Sequence, residues 1–144
     1  MKKVFLFAAL AISTIGCSQP KENNNVPDVV KNAFTKEYPN TKVEWDVEYD
    51  GFEAEFEING KDASANYNKE GHKLATEIEI KKSELPTLAL TYLTTNYPNE
   101  KVKETAKIID DKNIVTYEAE LKIDGKNSDL IFDDSGNFIK VIKG

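Results

Sequence analysis

The pattern of apolar and polar residues changes its period several times along the chain. Between residues 26 and 38 the apolar positions recur at helical spacing and end before Pro39. From residue 41 the period falls to two, which predicts four strands separated by turns at Asp50-Gly51, Asn59-Gly60 and residues 69–71. A second helix from residue 85 and four further strands up to residue 142 repeat this order. The pattern therefore predicts the element order α-β4-α-β4.

The two halves are also similar residue by residue. Residues 26–43 and 85–102 align without a gap and are identical at seven of eighteen positions, including Tyr-Pro-Asn at residues 38–40 and 97–99. Residues 52–74 and 117–139 match at seven of twenty-three positions, with six extra residues in the later copy. Composition alone gives about one to three identities in such windows. We interpret residues 26–82 and 83–144 as two repeats of one unit.

Both predicted helices and the predicted strands have a single apolar side that must be covered. The simplest solution is an α+β fold of tandem α-β4 repeats, an antiparallel sheet with both helices packed on one face and the opposite face open to water. Trp45 shares the apolar side of its strand, so we predict that it lies in the core. Ser83 is predicted to be the N-cap of the second helix.

The first 25 residues have the pattern of an export signal followed by a tether. Lys2-Lys3 precedes an apolar run over residues 4–12, which has the length of the hydrophobic region of a signal peptide and is too short to span a bilayer. Residues 14–17 resemble the cleavage box of bacterial lipoproteins, and Cys17 is the only cysteine of the chain. We predict a lipoprotein signal peptide over residues 1–16, a lipid anchor at Cys17 and a flexible tether over residues 17–25. The alternative is an ordinary secretory signal with an incidental cysteine.

Composition and motifs exclude several classes of function. The net charge is -6 and every basic residue except the single histidine is lysine, which opposes nucleic-acid binding. No nucleophile elbow or phosphate-binding glycine loop occurs in the sequence, and we predict no catalytic residues, no cofactor and no metal site. His72 is interpreted as an exposed turn residue. Residues 133–137 look like part of a calcium loop, but turn geometry explains them better.

A series of short motifs along the chain resembles the pattern of a known family. In chain order, the motifs are Val26-Pro27, Tyr38-Pro39, Trp45, Gly51-Phe52-Glu53-Ala54, a turn at Gly71, and Glu84-Leu85-Pro86 at the start of the second helix. This pattern resembles the PepSY-like, beta-lactamase-inhibitor-like domain of exported proteins from Bacteroidota, over essentially all of residues 26–144. The resemblance implies a small exported α+β domain whose sheet is a possible protein-binding surface. It brings no residues that would carry inhibition.

The candidate site is the side of the sheet that faces away from the helices. In the first repeat this side is predicted to carry eight carboxylates: Glu44, Asp46, Glu48, Glu53, Glu55, Glu57, Glu77 and Glu79. Such a set is either a solvated, solubilising surface or a docking face for a basic partner, and calcium is a third alternative. The equivalent face of the second repeat is predicted to be mixed in charge, with Lys101, Lys103, Lys107 and Lys122 among Glu118 and Glu120.

Three functions remain open at this point. The first is a non-enzymatic binding module, lipid-anchored in the cell envelope, that presents its sheet to a protein or peptide partner and possibly inhibits it. The alternative is a structural or accessory subunit of an envelope lipoprotein complex without an inhibitory role. An enzyme is the third, and it requires a pocket lined by carboxylates with raised pKa values.

Overall fold

The computed structural model describes residues 25–48 and 50–143. The predicted signal peptide, Cys17, Tyr49 and all of the predicted tether except Asn25 lie outside the described residues. Two α-helices, one 3₁₀ turn and eight strands are present in the described part. In chain order they are α1 (Asp28–Glu37), β1 (Val43–Val47), β2 (Gly51–Ile58), β3 (Lys61–Asn68), β4 (Lys73–Glu79), a 3₁₀ turn (Lys82–Glu84), α2 (Thr87–Asn96), β5 (Glu104–Asp110), β6 (Val115–Ile123), β7 (Lys126–Asp133) and β8 (Phe138–Lys143).

The strands form an open antiparallel sheet in the order β1-β2-β3-β4-β5-β6-β7-β8. The predicted α+β class and the predicted order of helices and strands are thereby confirmed. The chain divides into two compact units, Met1–Thr76 and Glu77–Gly144, with the division inside β4. That the halves are copies of one unit, and that both helices lie on one side of the sheet, stays a prediction.

The core of the first unit is aromatic and lies between α1 and strands β1 to β3. Phe34 of α1 packs edge-on against Phe56 and Trp45, with ring centroids 5.1 Å and 5.6 Å apart. Tyr67 of β3 joins the group through Trp45, with ring centroids 6.1 Å apart. Aromatic pairs of this kind add about 0.5–1.5 kcal/mol beyond the burial of their surface. The predicted core position of Trp45 is confirmed.

The core of the second unit is mainly aliphatic. Two residues of α2, together with Leu85 just before it, pack onto alternate residues of β6 and β7, which is the period expected for one face of a sheet. The buried members are Leu85, Ala89, Leu93, Ala119, Leu121, Leu130 and Phe132. Side chains between them, such as Glu118 and Glu120 in β6, point to the other face.

The hairpin turns have the backbone that their sequences predict. Asn59 and Gly60 both have positive φ, 53° and 74°, as the type I′ turn requires, and Asp124-Gly125 repeats the arrangement. In the turn after β3, Asn68 Oδ1 accepts hydrogen bonds from the backbone N–H groups of Glu70 and His72. His72 is exposed in this turn, as predicted.

One predicted helix cap is wrong. Ser83 lies inside the 3₁₀ turn, and the N-cap of α2 is Pro86, whose side chain makes no capping hydrogen bond. The reason is that Pro86 lacks an N–H and fixes Leu85 in extended backbone, so the helix begins only after it. Glu84 instead accepts a hydrogen bond from the Lys81 backbone N–H, 2.8 Å away.

None of the helices in the part of the chain that the structure describes is long and apolar enough to cross a membrane.

Candidate functional site

The outward positions of β1, β2 and β3 carry negative charge in rows across the strands. Asp46 pairs with Glu53, which in turn pairs with Asn66 of β3. The next row joins Glu44, Glu55 and Ser64, and the last joins Glu57 with Asp62. We call the six carboxylates of these rows the acidic face: Glu44, Asp46, Glu53, Glu55, Glu57 and Asp62. No lysine occupies an outward position of these three strands.

The acidic face is not uniformly open to water, so the alternative of a solvated sheet surface describes only some of its carboxylates. Glu44 and Glu57 are exposed, whereas Glu53 is only 4% exposed and Ser64 is fully buried. Glu53 lies on the middle strand, where Asp46 on one side and Asn66 on the other cover it. Glu57 lies beside the Asn59-Gly60 turn, where few neighbours cover it.

Three buried polar atoms in this region lack hydrogen-bond partners. Glu53 Oε1, Ser64 Oγ and Asn66 Nδ2 are buried and make no hydrogen bond. We call Glu53, Ser64 and Asn66 the polar cluster. Leaving such an atom unsatisfied costs about 1–3 kcal/mol. The cluster therefore lowers the free energy of unfolding, and packing alone does not explain it.

The charge state of Glu53 reflects this environment. Burial, with smaller contributions from the nearby carboxylates of Glu55, Glu48 and Asp46, raises the pKa of Glu53 to about 7. The adjacent Ser64 side chain offsets part of the rise in pKa. Ser64 Oγ makes no hydrogen bond to Glu53, so its side chain is a close polar neighbour of the carboxyl group.

The eight predicted carboxylates do not share one unit. Glu44, Asp46, Glu48, Glu53, Glu55 and Glu57 belong to the first unit, whereas Glu77 and Glu79 belong to the second. Glu48 lies just after β1, where its backbone N–H bonds to the Gly51 carbonyl, and it is exposed. Glu77 is buried, at 3% exposure, so the solvated-surface alternative does not describe it either.

A second group of carboxylates lies on the corresponding side of the second unit. Burial, followed by the charges of Glu77 and Asp129, raises the pKa of Glu118 well above its usual value. Burial and Glu120 likewise raise the pKa of Asp129 to about 6, although Lys103 lowers it. Lys103 Nζ lies 2.9 Å from Glu120 Oε1 in an ion pair. We call Glu77, Glu104, Glu118, Glu120 and Asp129 the second carboxylate cluster.

The predicted lysines of the second unit are only partly on this side. Lys122 shares the outward side of β6 with Glu118 and Glu120, and Lys101 is exposed before β5 begins. Lys107 lies on the face of the sheet opposite to Glu118 and Glu120, so the prediction that it lies beside them is wrong. The pairing of β5 with β6 places Lys107 opposite Tyr117 and Ala106 opposite Glu118, so the outward residues of β5 are Glu104, Ala106 and Ile108.

In the turn over residues 133–137, the first carboxylate accepts hydrogen bonds from within the turn itself. Asp133 Oδ1 accepts a hydrogen bond from the Asn137 backbone N–H at 2.8 Å, and Asp133 Oδ2 accepts one from Asn137 Nδ2 at 2.9 Å. These bonds lower the pKa of Asp133. The prediction that this segment is a turn is confirmed. Within residues 25–48 and 50–143, no group of three or more His, Cys, Asp and Glu side chains is arranged to hold a metal ion.

Sequence reasoning missed Ser64, Asn66, Glu104 and Asp129. A signal for the first two was present, because they alternate with Ala63, Ala65 and Tyr67, which occupy the apolar side of β3. Their importance could not be read from this alternation. It comes from the neighbours that the pairing of β2 with β3 brings beside them.

Comparison with known proteins identifies the class to which this fold belongs. A family model described as "Putative beta-lactamase-inhibitor-like, PepSY-like" matches residues 19–74 and 49–140. The chain belongs to this PepSY-like family, as the motifs of its helix starts and turns predict. None of the curated proteins is significantly similar to the chain.

Three solved structures have similar folds. A "putative periplasmic" protein from Bacteroides eggerthii has 14% identity and a TM-score of 0.74, covering 83% of this chain and 90% of its own. A DUF2874 family protein from Bacteroides uniformis has 18% identity and a TM-score of 0.72, with coverages of 81% and 88%. A BLIP-like protein from Bacteroides fragilis has 20% identity and a TM-score of 0.66, with coverages of 81% and 85%. At these identities the likeness shows the fold alone.

Proposed function

We propose that this protein is a non-enzymatic binding module of the cell envelope, lipid-anchored at Cys17, that presents its acidic face to a protein partner. The observation that carries the proposal is the acidic face itself, in which six carboxylates share one side of three strands without an outward lysine. A surface of one sign attracts a partner of the opposite sign and orients it during encounter.

The anchor and the family support the same function. Cys17 follows the apolar run of a signal peptide and precedes a polar segment that gives a tethered domain reach from a membrane. The family description compares its members with an inhibitor, which acts by binding another protein. The BLIP-like relative from Bacteroides fragilis and the "putative periplasmic" relative from Bacteroides eggerthii are consistent with binding in the envelope.

Site-specific photocrosslinking tests the docking face. A photoreactive phenylalanine analogue replaces exposed Glu44 or Glu57 on the acidic face, and exposed Asn32 or Lys36 of α1 in the controls. We expect one envelope protein to be crosslinked from both acidic-face positions and from neither control position. The charge reversals Glu53→Lys and Glu55→Lys should suppress this crosslink, whereas Glu70→Lys in the exposed turn after β3 should not.

Two results would contradict the proposal. One is crosslinking of the same partner from α1 as efficiently as from Glu44 and Glu57, which would place the contact elsewhere. The other is a crosslink that survives both charge reversals, which would remove electrostatic recognition from the acidic face. A partner found as a constant subunit of a membrane complex would favour the accessory-subunit alternative.

The anchor is tested separately by phase partitioning. The protein with Cys17 should enter the detergent-rich phase of a clouding detergent, because two or three acyl chains bind it stably to apolar phases. Cys17→Ala should keep its signal peptide uncleaved and lack the acyl chains, which the mass of the intact protein shows. Equal partitioning of both proteins into the aqueous phase, each with a cleaved signal, would identify an ordinary secretory signal instead.

A further inference from the structure

We infer that the polar cluster of Glu53, Ser64 and Asn66 is a binding site for the ammonium group of a lysine side chain on the partner. This inference rests on the proposed function, since the cluster lies within the acidic face. It goes further in naming the chemical group that is recognised and the atoms that recognise it.

The strand register places the three side chains together. Glu53 of β2 pairs directly with Asn66 of β3, and Ser64 lies two residues before Asn66 on the same side of the sheet. Directly opposed residues have Cβ atoms about 4.5–5.5 Å apart, and diagonal neighbours are about 7–8 Å apart. Asp46 of β1 and Glu55 of β2 border the cluster, and both are half-buried.

The unsatisfied atoms of the cluster indicate what the ligand must supply. Glu53 Oε1 is an acceptor, and the Ser64 hydroxyl oxygen accepts as well as donates. A half-turn of the Asn66 amide exchanges its Nδ2 for Oδ1, which provides a third acceptor. A group with three donors and a positive charge would satisfy all three positions at once.

A lysine ammonium has these properties. It is a compact charge with three N–H donors and no acceptor, whereas an arginine guanidinium is planar and pairs best with both oxygens of a carboxylate. Only one oxygen of Glu53 is among the buried atoms without a partner. The four-carbon stem of lysine is slender enough to place its charge between half-buried side chains such as Asp46 and Glu55. Their negative charge further favours a cation at this point.

Nuclear magnetic resonance titration with a small probe tests the site directly. The probe is Nα-acetyl-lysine methylamide at pH 8, where the Glu53 carboxyl is ionised because its pKa is about 7. The control probe carries an acetyl group on the lysine Nε and therefore has no charge. We expect saturable shifts of the Ser64 and Asn66 backbone amide signals with lysine at millimolar concentration and none with the acetylated probe.

Two variants and a matched control assign the binding. Glu53→Gln should weaken lysine binding about tenfold or more, because it removes the only charged member of the cluster. Ser64→Ala removes one acceptor and should weaken binding by a smaller factor. Glu70→Gln removes an exposed carboxylate of the same unit that lies outside the acidic face, in the turn after β3, and should leave binding unchanged. Thermal unfolding of each variant verifies that it is folded.

The inference is overturned if the two probes produce equal shifts, or if Glu53→Gln and Glu70→Gln weaken binding equally. Binding of calcium chloride alone at the cluster, without binding of the lysine probe, would overturn it in favour of a metal site. Failure of this inference can be distinguished from failure of the proposed function, because the proposed function is tested by photocrosslinking of the partner and not by the lysine probe. A crosslink that persists in Glu53→Gln together with absent lysine binding would reject the ammonium site alone.

Discussion

At the scale of single residues, Tyr38 and Tyr67 show how differently two hydroxyl groups of one core can be placed. The Tyr38 hydroxyl lies 3.3 Å from Thr76 Oγ1 and shares a hydrogen bond with it. Tyr67 is 1% exposed, and its hydroxyl oxygen is buried without a partner. Burial raises the pKa of Tyr67, with smaller contributions from Glu37 and Tyr38, so the group stays neutral in the folded protein.

This difference predicts opposite effects for the same substitution. Tyr67→Phe removes an unsatisfied hydroxyl and should raise the free energy of unfolding by about 1 kcal/mol, whereas Tyr38→Phe should lower it by about 0.5–1.5 kcal/mol. Urea denaturation of the purified proteins measures both values. A loss of stability in Tyr67→Phe as large as that in Tyr38→Phe would show that the Tyr67 hydroxyl is satisfied in the folded protein.

At the scale of elements, each helix packs against the turn that joins the last two strands of its own half. Gly71 approaches α1 so closely that a Cβ atom there would lie 2.9 Å from the Val29 carbonyl oxygen. In the second unit a Cβ atom at Gly136 would lie 2.7 Å from Pro86 Cβ and 2.8 Å from the Ala89 nitrogen. Both glycines have positive φ, but so do the hairpin glycines Gly60 and Gly125, which face open space.

Substitutions at the four glycines therefore distinguish the cost of backbone strain from the cost of crowding the helix. Alanine at Gly60 or Gly125 should cost about 1–2 kcal/mol, because an L residue is strained at positive φ. Gly71→Ala and Gly136→Ala should each cost about 1–3 kcal/mol more, because the added methyl group forces the helix and the turn apart. The measurement is the free energy of unfolding of all four variants. Equal losses at Gly60 and Gly71 would mean that the turn after β3 does not press on α1.

At the scale of the whole molecule, buried carboxyl groups make stability depend on pH. The pKa values of Glu53, Glu118 and Asp129 are all raised, so the folded chain binds protons that the unfolded chain releases. The free energy of unfolding therefore falls as the pH rises above the unfolded pKa of these groups. For Glu53, whose pKa is raised from 4.5 to about 7, the fall spans that interval and then ends.

We expect the midpoint of thermal unfolding to be higher at pH 5 than at pH 8. Glu53→Gln should be more stable than the parent protein at pH 8 by about 1–2 kcal/mol, a value reduced for solvent screening, and should differ little at pH 5. The groups that face Glu53 are the carboxyls of Asp46, Glu48 and Glu55, and they oppose its ionisation. Parallel stability curves for parent and variant between pH 5 and pH 8 would contradict this assignment.

Much of the site could be predicted because strand alternation is local. The positions of Glu44, Asp46, Glu53, Glu55 and Glu57 on one side of β1 and β2 follow from a period of two that each strand carries in its own sequence. Lys107 was misplaced because β5 lacks a clear alternation, and only its pairing with β6 fixes which residues face outward. The burial of Glu53 was equally beyond prediction, since it depends on Asp46 and Asn66 from neighbouring strands.

The amino-acid sequence by itself determined the helices, the strands, the hairpin turns and the family, because each depends on residues close together in the chain. Period, proline and glycine positions suffice for these, as the Asn59-Gly60 and Asp124-Gly125 turns show. Only the tertiary structure decided which polar side-chain atoms of the described residues are buried without a partner, namely one atom each of Glu53, Ser64, Asn66 and Tyr67. The physical reason is that solvation and pKa depend on what surrounds a side chain in space, and strand pairing brings distant residues into those surroundings.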